Sequence, residues 1–499
     1  MTKYLYGANV KSVQQFIFRT GRLTEIIGGS EIVEQICTSL FKEQVNAQGV
    51  NEDTYEKNLI VSAAGIIKFI FDEKEHCQKI VRTFPKNVYS KAPGISFNQA
   101  VVEVQEDKPS SENLKELEKR LRIQRNKATP QTETGLRIML RVPRTGMPGT
   151  IVNKNEVMDK ASFLKQQTYK TKTELLLNKL KINDKYVFSN LIDDIAGKKQ
   201  YVAIIHADGN NMGKVIRDLN ESNLEQEPIE LNKKFSSAIN DITLYAAKKA
   251  IEDTFYKEFK GKTIPFRPVI IGGDDFTVIC NAQYALELTK SYLKAFEEES
   301  SRIFEAEFNN VPTVTACAGI AFLKSSYPFH YGVKLAEDLC GFSKNEAKKI
   351  NNNLVPSCLA FHRILSSFVG DYKDDIITRE LTASSSGINF CGGPYYISDN
   401  IENTTSIDDL SRMTDCLKNE NTPTSKLREW IYTCYVNKHL AEEDLKRIIQ
   451  ILNEKSMTNI VDTLKLQTLL DSMKIRNIDN SPLVKTSLYD AITIDSLNH

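Results

Sequence analysis

The stretch "IIGGDDFTVIC", residues 270–280, sets two adjacent carboxylates, Asp274 and Asp275, between paired glycines and a strand-forming run. Strand interiors usually avoid Asp, whose short charged side chain packs poorly and competes for backbone hydrogen bonds. The flanks "RPVII" (267–271) and "FTVIC" (276–280) are β-type, so Gly272, Gly273, Asp274 and Asp275 fall at a hairpin tip, where glycine permits positive φ and close approach of a ligand.

Upstream, "YVAIIHADGNNMGKVIRDL" (201–219) is an apolar strand that runs into Asp208, then a turn bearing Gly209 that opens a helix. A strand, turn and helix start suggest a phosphate site, with backbone N–H groups and Lys214 facing anionic oxygens. Downstream, residues 311–350 read as a further strand, a loop and a helix carrying Lys344, Lys348 and Lys349. The order is of the β-α-β-β-α-β, ferredoxin-like kind, in which the first strand neighbours the central hairpin. Asp208 is then expected beside Asp274 and Asp275. Three carboxylates that close repel one another, and a divalent cation offsets this. Mg²⁺ or Mn²⁺, as two ions, with a nucleoside triphosphate as co-ligand, suits nucleotidyl transfer.

The 499 residues exceed one core and imply several domains. Hydrophobic residues make up 41% and charged residues 26%, an ordinary globular balance, and no apolar run is long enough for a membrane span. The N-terminus lacks the pattern of a secretory signal, so a cytoplasmic location is expected. A net charge of +1 gives no global pull toward nucleic acid. The nine cysteines contain no CxxC pair, which argues against a zinc ribbon or a disulfide framework.

The pair "HADGNNMGK" and "IGGDD" resembles the catalytic palm of the large polymerase-cyclase subunit of type III CRISPR effector complexes, itself similar to GGDEF diguanylate cyclases and family B polymerase palms. "NVKSVQQFIFRTGRLTEIIGGSEIVEQI", "PRTGMPGTIV", "SCLAFHRILSSF" and "CGGPYYI" look like landmarks of the same family. The resemblance implies an enzyme that converts ATP to cyclic or linear oligoadenylates, second messengers of defence. It makes Asp208, Asp274 and Asp275 metal ligands, and puts Lys214 and Lys344 on the triphosphate. Gly209, Gly272, Gly273 and Lys348 are further nucleotide-binding candidates. Where many members have a second Asp, this chain has Asn210. None of the six histidines precedes an Asp, so the family's nuclease domain is not expected, and the chain looks like a reduced, stand-alone member.

An internal repeat extends this reading. "YGANVKSVQQFI" lies over "IHADGNNMGKVI", with Asn9 over Asp208. "VSAAGIIKFIF" (61–71) lies over the hairpin, with Ala64 and Gly65 over Gly272 and Gly273, and Ile66 and Ile67 over Asp274 and Asp275. This degenerate copy has lost its acids, and its "GGS" triplet (Gly28, Gly29, Ser30) is expected to form a nucleotide pocket wall. The chain is thus expected to be α+β, with a degenerate palm-like domain at 1–135, a mainly helical basic connector at 136–197, a catalytic palm at 198–365 and a helical domain at 366–499. The last segment shows helical periodicity from about Ser425 and, by resemblance, docks RNA or other defence-complex subunits. The rival reading is a catalytically silent nucleotide-binding scaffold or sensor.

Overall fold

The computed structural model describes residues 2–498 apart from positions 64, 106–108, 128–134, 137, 172–174, 183–186, 223–227, 257–262, 309–312, 367–369 and 476–482. Ala64, one of the expected turn glycine equivalents, therefore lies outside the described residues.

The first sheet contains β1 (Lys3–Lys11), β2 (Leu59–Ala63), β3 (Ile66–Phe71) and β4 (Ser96–Val104), in the order β2-β3-β1-β4. After β1 come α1 (Val13–Ile17) and α2 (Leu23–Gln35), while α3 (Lys74–Lys91) joins β3 to β4 and α4 (Ser111–Arg125) follows β4. Its core is aromatic: Tyr6 stacks on Phe41 at 5.8 Å, and Phe41 meets Phe69 and Phe84 edge-on at 5.6 and 5.3 Å.

The connecting region holds α5 (Lys160–Lys170), which packs against α2. Ahead of α5, where a mainly helical connector was expected, there is instead a short hairpin, Ile151–Asn153 with Glu156–Met158. Its turn residues Lys154 and Asn155 have φ of 45° and 66°. Two successive positive values match the twist of a hairpin, which is why this polar dipeptide turns rather than continuing as helix.

The second sheet is built from β5 (Tyr201–Gly209), β6 (Phe266–Gly272), β7 (Asp275–Asn281), β8 (Ala316–Lys324) and β9 (Cys358–Arg363), in the order β6-β7-β5-β8-β9, and two short strands at 395–396 and 405–406 extend it. The first four repeat the order of the first sheet. Between them run α6 (Met212–Ser222), α7 (Pro228–Ile251), α8 (Ala285–Glu307) and α9 (Phe329–Ile350). Central β5 is buried from Val202 to Ala207, which accounts for its apolar sequence, broken in that span by His206 alone. A Cβ at Gly319 of β8 would stand 2.1 Å from the Ala336 carbonyl oxygen, so the absent side chain lets α9 lie directly on the sheet.

The C-terminal part contains α10 (Ile407–Leu417), α11 (Thr424–Val436), α12 (Lys438–Glu454), α13 (Leu466–Ile475) and α14 (Leu488–Asn498). Trp430 is fully buried and donates to the Ala441 carbonyl at 3.0 Å. The helical pattern does not hold from residue 366: "CGGPYYI" supplies the 395–396 strand of the second sheet, and 382–383, 388–389 and 484–485 form a small sheet of their own. Among the described residues, no helix is long and apolar enough to cross a membrane.

Candidate active site

In the second sheet Gly272 pairs with Asp275, leaving Gly273 and Asp274 as a two-residue turn. Gly273 has φ of 61°. Positive φ at the first central position of a hairpin turn is open to glycine without steric cost, so Gly273 is a turn requirement. The Thr243 hydroxyl of α7 donates to the Gly273 carbonyl at 2.7 Å and fixes the tip. Neighbouring β5 pairs Ala207 with Phe276, so Asp208 and Asp275 follow at adjacent strand ends. A Cβ at Gly209 would lie 3.0 Å from that of Asp274. Glycine there lets Asp274 fold over the end of β5.

The three carboxyl groups expected together are together, and the acidities of Asp274 and Asp275 show it. Burial first, then the charges of Asp208 and Asp275 and a hydrogen bond with Asp208, push Asp274 up to about 8. Burial and then Asp208 push Asp275 up to about 7, with Lys344 acting in the opposite sense. Lys344, on α9, donates to Asp208 Oδ2, and to the Gly209 carbonyl at 2.8 Å. Burial opposes its charge most strongly, but the charge and hydrogen bond of Asp208, together with Cys340 and Cys317, hold Lys344 above the ordinary lysine value. Among the described residues no three His, Cys, Asp or Glu side chains are arrayed around a common metal position. One Asp208 oxygen is engaged by the Lys344 ammonium. The donors are carboxylate oxygens clustered with an excess of negative charge, which in type suit a hard divalent cation.

A cavity of 550 Å³ opens between the two sheets. Asp275 and Glu337 line it from the second sheet's side, and Asn9, Ser12, Gln14, Gln15, Gly65 and Ile66 from the first. Burial, then Asp338 and Asp275, push Glu337 up to about 7. Sequence reading missed Glu337. It stands seven residues, two helical turns, before Lys344 on the same face of α9, and that spacing was the available signal.

Other candidates fall elsewhere. Lys214 is half-buried and donates to Asn353 Oδ1 at 2.9 Å. Lys348 lies in the last turn of α9, four residues past Lys344. Gly28 and Gly29 are buried in α2, and a Cβ at Gly28 would meet the Lys165 carbonyl oxygen of α5 at 1.9 Å. This corrects their expected place on a nucleotide pocket wall: the glycines serve close helix packing. Ser30 does line the cavity, but its hydroxyl donates to the Val269 carbonyl. His206 is buried, contacts the Thr277 hydroxyl at 3.0 Å and is held down to about 4 by burial, as a packed core histidine should be. Asn210 is buried and donates to Thr315 Oγ1 at 2.9 Å.

The repeat register shifts by one residue at the hairpin. Asn9 pairs with Ile66 in the first sheet, as Asp208 is placed beside Asp275 in the second, so Ile66 corresponds to Asp275 and Gly65 to Asp274. The strand-to-helix pivots agree with Asn9 over Asp208: Ser12 and Asn211, each three residues on, both have positive φ, 57° and 54°.

Residues 201–354 match the family model of the Cas10/Cmr2 second palm domain. This segment is Cas10-like. The Cas10-like palm thus spans β5 to the end of α9 and includes Asp208, the Gly-Gly-Asp-Asp tip and Lys344. Among solved structures, the Csm1-Csm4 cassette in complex with pppApApA superposes with a TM-score of 0.52 at 10% identity, over 99% of this chain and 69% of that one. The cassette in complex with cA3 gives 0.51 at 12%, over 99% and 69%. Another, in complex with AMPPNP, gives 0.44 at 12%, over 69% of this chain, and the matched part is 53%, about half, of that chain's length. At such identities the likeness is one of fold. No curated protein matches the chain in sequence.

Proposed function

We propose that this protein is a metal-dependent nucleotidyltransferase that joins nucleoside triphosphates, ATP foremost, into a cyclic or linear oligonucleotide serving as a defence signal. The observation that carries this reading is the half-buried acid cluster of Asp208, Asp274 and Asp275, in which desolvation and neighbouring charge raise the proton affinity of Asp274 and Asp275, at the edge of a nucleotide-sized cavity and against Lys344. Relatives of the same fold in complex with pppApApA and cA3 support it. Asp208, Asp274 and Asp275 would hold two divalent cations, with Asp274 and Asp275 in their deprotonated forms, and such ions would supply charge neutralisation to a phosphoryl transfer. Lys344 moves from Asp208 to the triphosphate, joined by Lys348 one turn on. A ribose hydroxyl then attacks the α-phosphorus, a P–O bond forms, and pyrophosphate leaves as the hydroxyl proton passes to solvent.

The first sheet reads as a degenerate palm, with Asn9 and Ile66 where the active one has Asp208 and Asp275. The C-terminal helices are proposed to contact RNA or other subunits of a defence complex. A silent nucleotide-binding scaffold is the second reading, favoured by the engagement of Asp208 with Lys344. Incubating the purified chain with each nucleoside triphosphate and Mg²⁺ or Mn²⁺, then assaying pyrophosphate and a resolved oligonucleotide, separates the two. Pyrophosphate release that is the same in Asp274→Ala, Asp275→Ala and the unmodified chain would remove catalysis from this site.

A further inference from the structure

A second, smaller cleft of 130 Å³ lies in the C-terminal part, between α13 and the strand at 484–485. Buried Leu469 and Met413 give it an apolar floor. Lys465, just before α13, and Thr468, in its first turn, line one side, while Lys485 and Thr486 line the other. All four reach solvent: Lys465, Thr468 and Lys485 are exposed, and Thr486 is half-buried.

The charge of this cleft is one-sided. Among the described residues no carboxylate lines it, and neither the Lys465 nor the Lys485 ammonium has an ion pair or a hydrogen bond. Lys474, on the same helix but outside the cleft, is by contrast 3.4 Å from Asp471. The Thr468 hydroxyl makes no hydrogen bond among the described residues, and Thr486 Oγ1 accepts from the Leu488 N–H at 3.3 Å, which leaves its own proton to donate. Asp490 does not line the cleft and is already engaged, accepting from the Gly392 N–H at 3.0 Å and the Tyr395 hydroxyl at 2.5 Å.

Two ammonium groups brought to one concavity without a counter-charge repel each other, and an anion between them offsets this. A lysine offers donors only, so the ligand must be rich in acceptors. Size narrows the choice. At 130 Å³ the cleft is well below the ~300–1,000 Å³ of sites for drug-sized ligands. It equals the volume of roughly four waters at about 30 Å³ each, room for one tetrahedral oxyanion but not for a nucleoside.

We propose that this cleft binds one phosphate group, either free inorganic phosphate or the phosphate of a phosphomonoester, through Lys465, Lys485, Thr468 and Thr486. The strand at 484–485 pairs with 388–389 in the small sheet, so the bound anion ties α13 to that sheet. The site is separate from the cavity beside Asp275 and does not depend on the function proposed above.

The test is calorimetric titration of the full chain with inorganic phosphate and, separately, with glycerol 3-phosphate, at an ionic strength held constant with chloride. The expected result is saturable binding of one phosphate per chain, unchanged in Lys474→Gln. Lys465→Gln and Lys485→Gln should each weaken it by about tenfold or more, the loss of one charge-assisted hydrogen bond. Both positions are exposed, so the variants should fold, and melting curves check this. The same curves should show phosphate raising the melting temperature of the unmodified chain, as a ligand of the folded state does, and not that of the two cleft variants. Binding of glycerol 3-phosphate with the same dependence on both lysines makes the ligand a phosphomonoester, and binding of inorganic phosphate alone makes it the free ion. No saturable binding of either probe, or binding that survives either cleft substitution in a folded protein, overturns the proposal. An equal loss in Lys474→Gln would reduce the effect to net charge and overturns it as well.

Discussion

Lys344 of α9 reaches over the end of β5 and donates to Asp208 Oδ2 and to the Gly209 carbonyl, so one ammonium holds the acid cluster in check. With three carboxyl groups and one ammonium, neutrality at pH 7 requires bound protons, and these sit on Asp274 and Asp275. Removing the ammonium in Lys344→Met should raise Asp275 further, because Lys344 is the group that lowers it. Binding of Mn²⁺ should then begin at a higher pH than in the unmodified chain. Product formation should fall by about two to three decades, the usual cost of losing a preorganised charge at a phosphoryl site. Titrations of Mn²⁺ from pH 6 to 9 check the first part, and an unmoved midpoint would contradict it.

A second consequence is a pH-dependent stability with a definite sign. An ordinary Asp releases its proton near 3.8, whereas folded Asp274 keeps it to about 8. Between those values the folded state holds the extra proton, so unfolding releases it, and rising pH favours unfolding by up to about 1.4 kcal/mol per pH unit for one proton. The stabilisation is fully present below the unfolded value and is lost as pH climbs through the folded one. In chelator, the melting temperature should fall from pH 5 to 8, and Asp274→Asn should flatten that fall and melt higher than the unmodified chain at pH 8. Parallel curves for the two proteins would show that Asp274 does not carry the proton.

Packing sets a third expectation. Gly28 faces the Lys165 carbonyl so closely that a methyl group would overlap it. Gly28→Ala must push α5 off α2 and should cost about 1–3 kcal/mol, as overpacking does. Gly21, with nothing within 4 Å of where its Cβ would be, is the control. Reduced melting temperature in Gly28→Ala but not in Gly21→Ala fits helix packing. A Gly28→Ala variant of full stability that has lost nucleotide binding would restore the pocket-wall role.

These cases show what the sequence could and could not carry. Asp208, Asp274 and Asp275 were readable because charge at strand ends is anomalous and the spacing matched one topology. The contact between Lys344 and Asp208 was not, since a lysine on a helix face is ordinary until the helix is laid over the sheet. Gly28 and Gly29 were read as ligand space because a missing side chain looks the same whether a nucleotide or a helix backbone fills it. The hairpin register slipped by one because two adjacent isoleucines offer no local mark of which faces in, and pairing with β1 decides it.

That register gives the sharpest mutational contrast. Aligned by sequence alone, Ile66 and Ile67 both stand over acids and both belong in a packed core. In the structure Ile66 is 42% exposed on the cavity wall, opposite Asn9, whereas Ile67 is 1% exposed and packs in the main hydrophobic core. Ile66→Asp should therefore fold with a stability change within about 0.5 kcal/mol, the usual range for exposed positions. It should not create a second metal site, since Asn9 still carries no charge. Ile67→Asp places a carboxylate among apolar side chains without a partner, which costs several kcal/mol or forces the group to stay protonated. It should melt far lower at pH 8, and part of the loss should return at pH 5, nearer the ordinary Asp value, where keeping the buried acid protonated costs less. Melting curves of the two variants at both pH values decide the matter. Equal damage from both substitutions would return Ile66 to the core and undo the correspondence between Ile66 and Asp275.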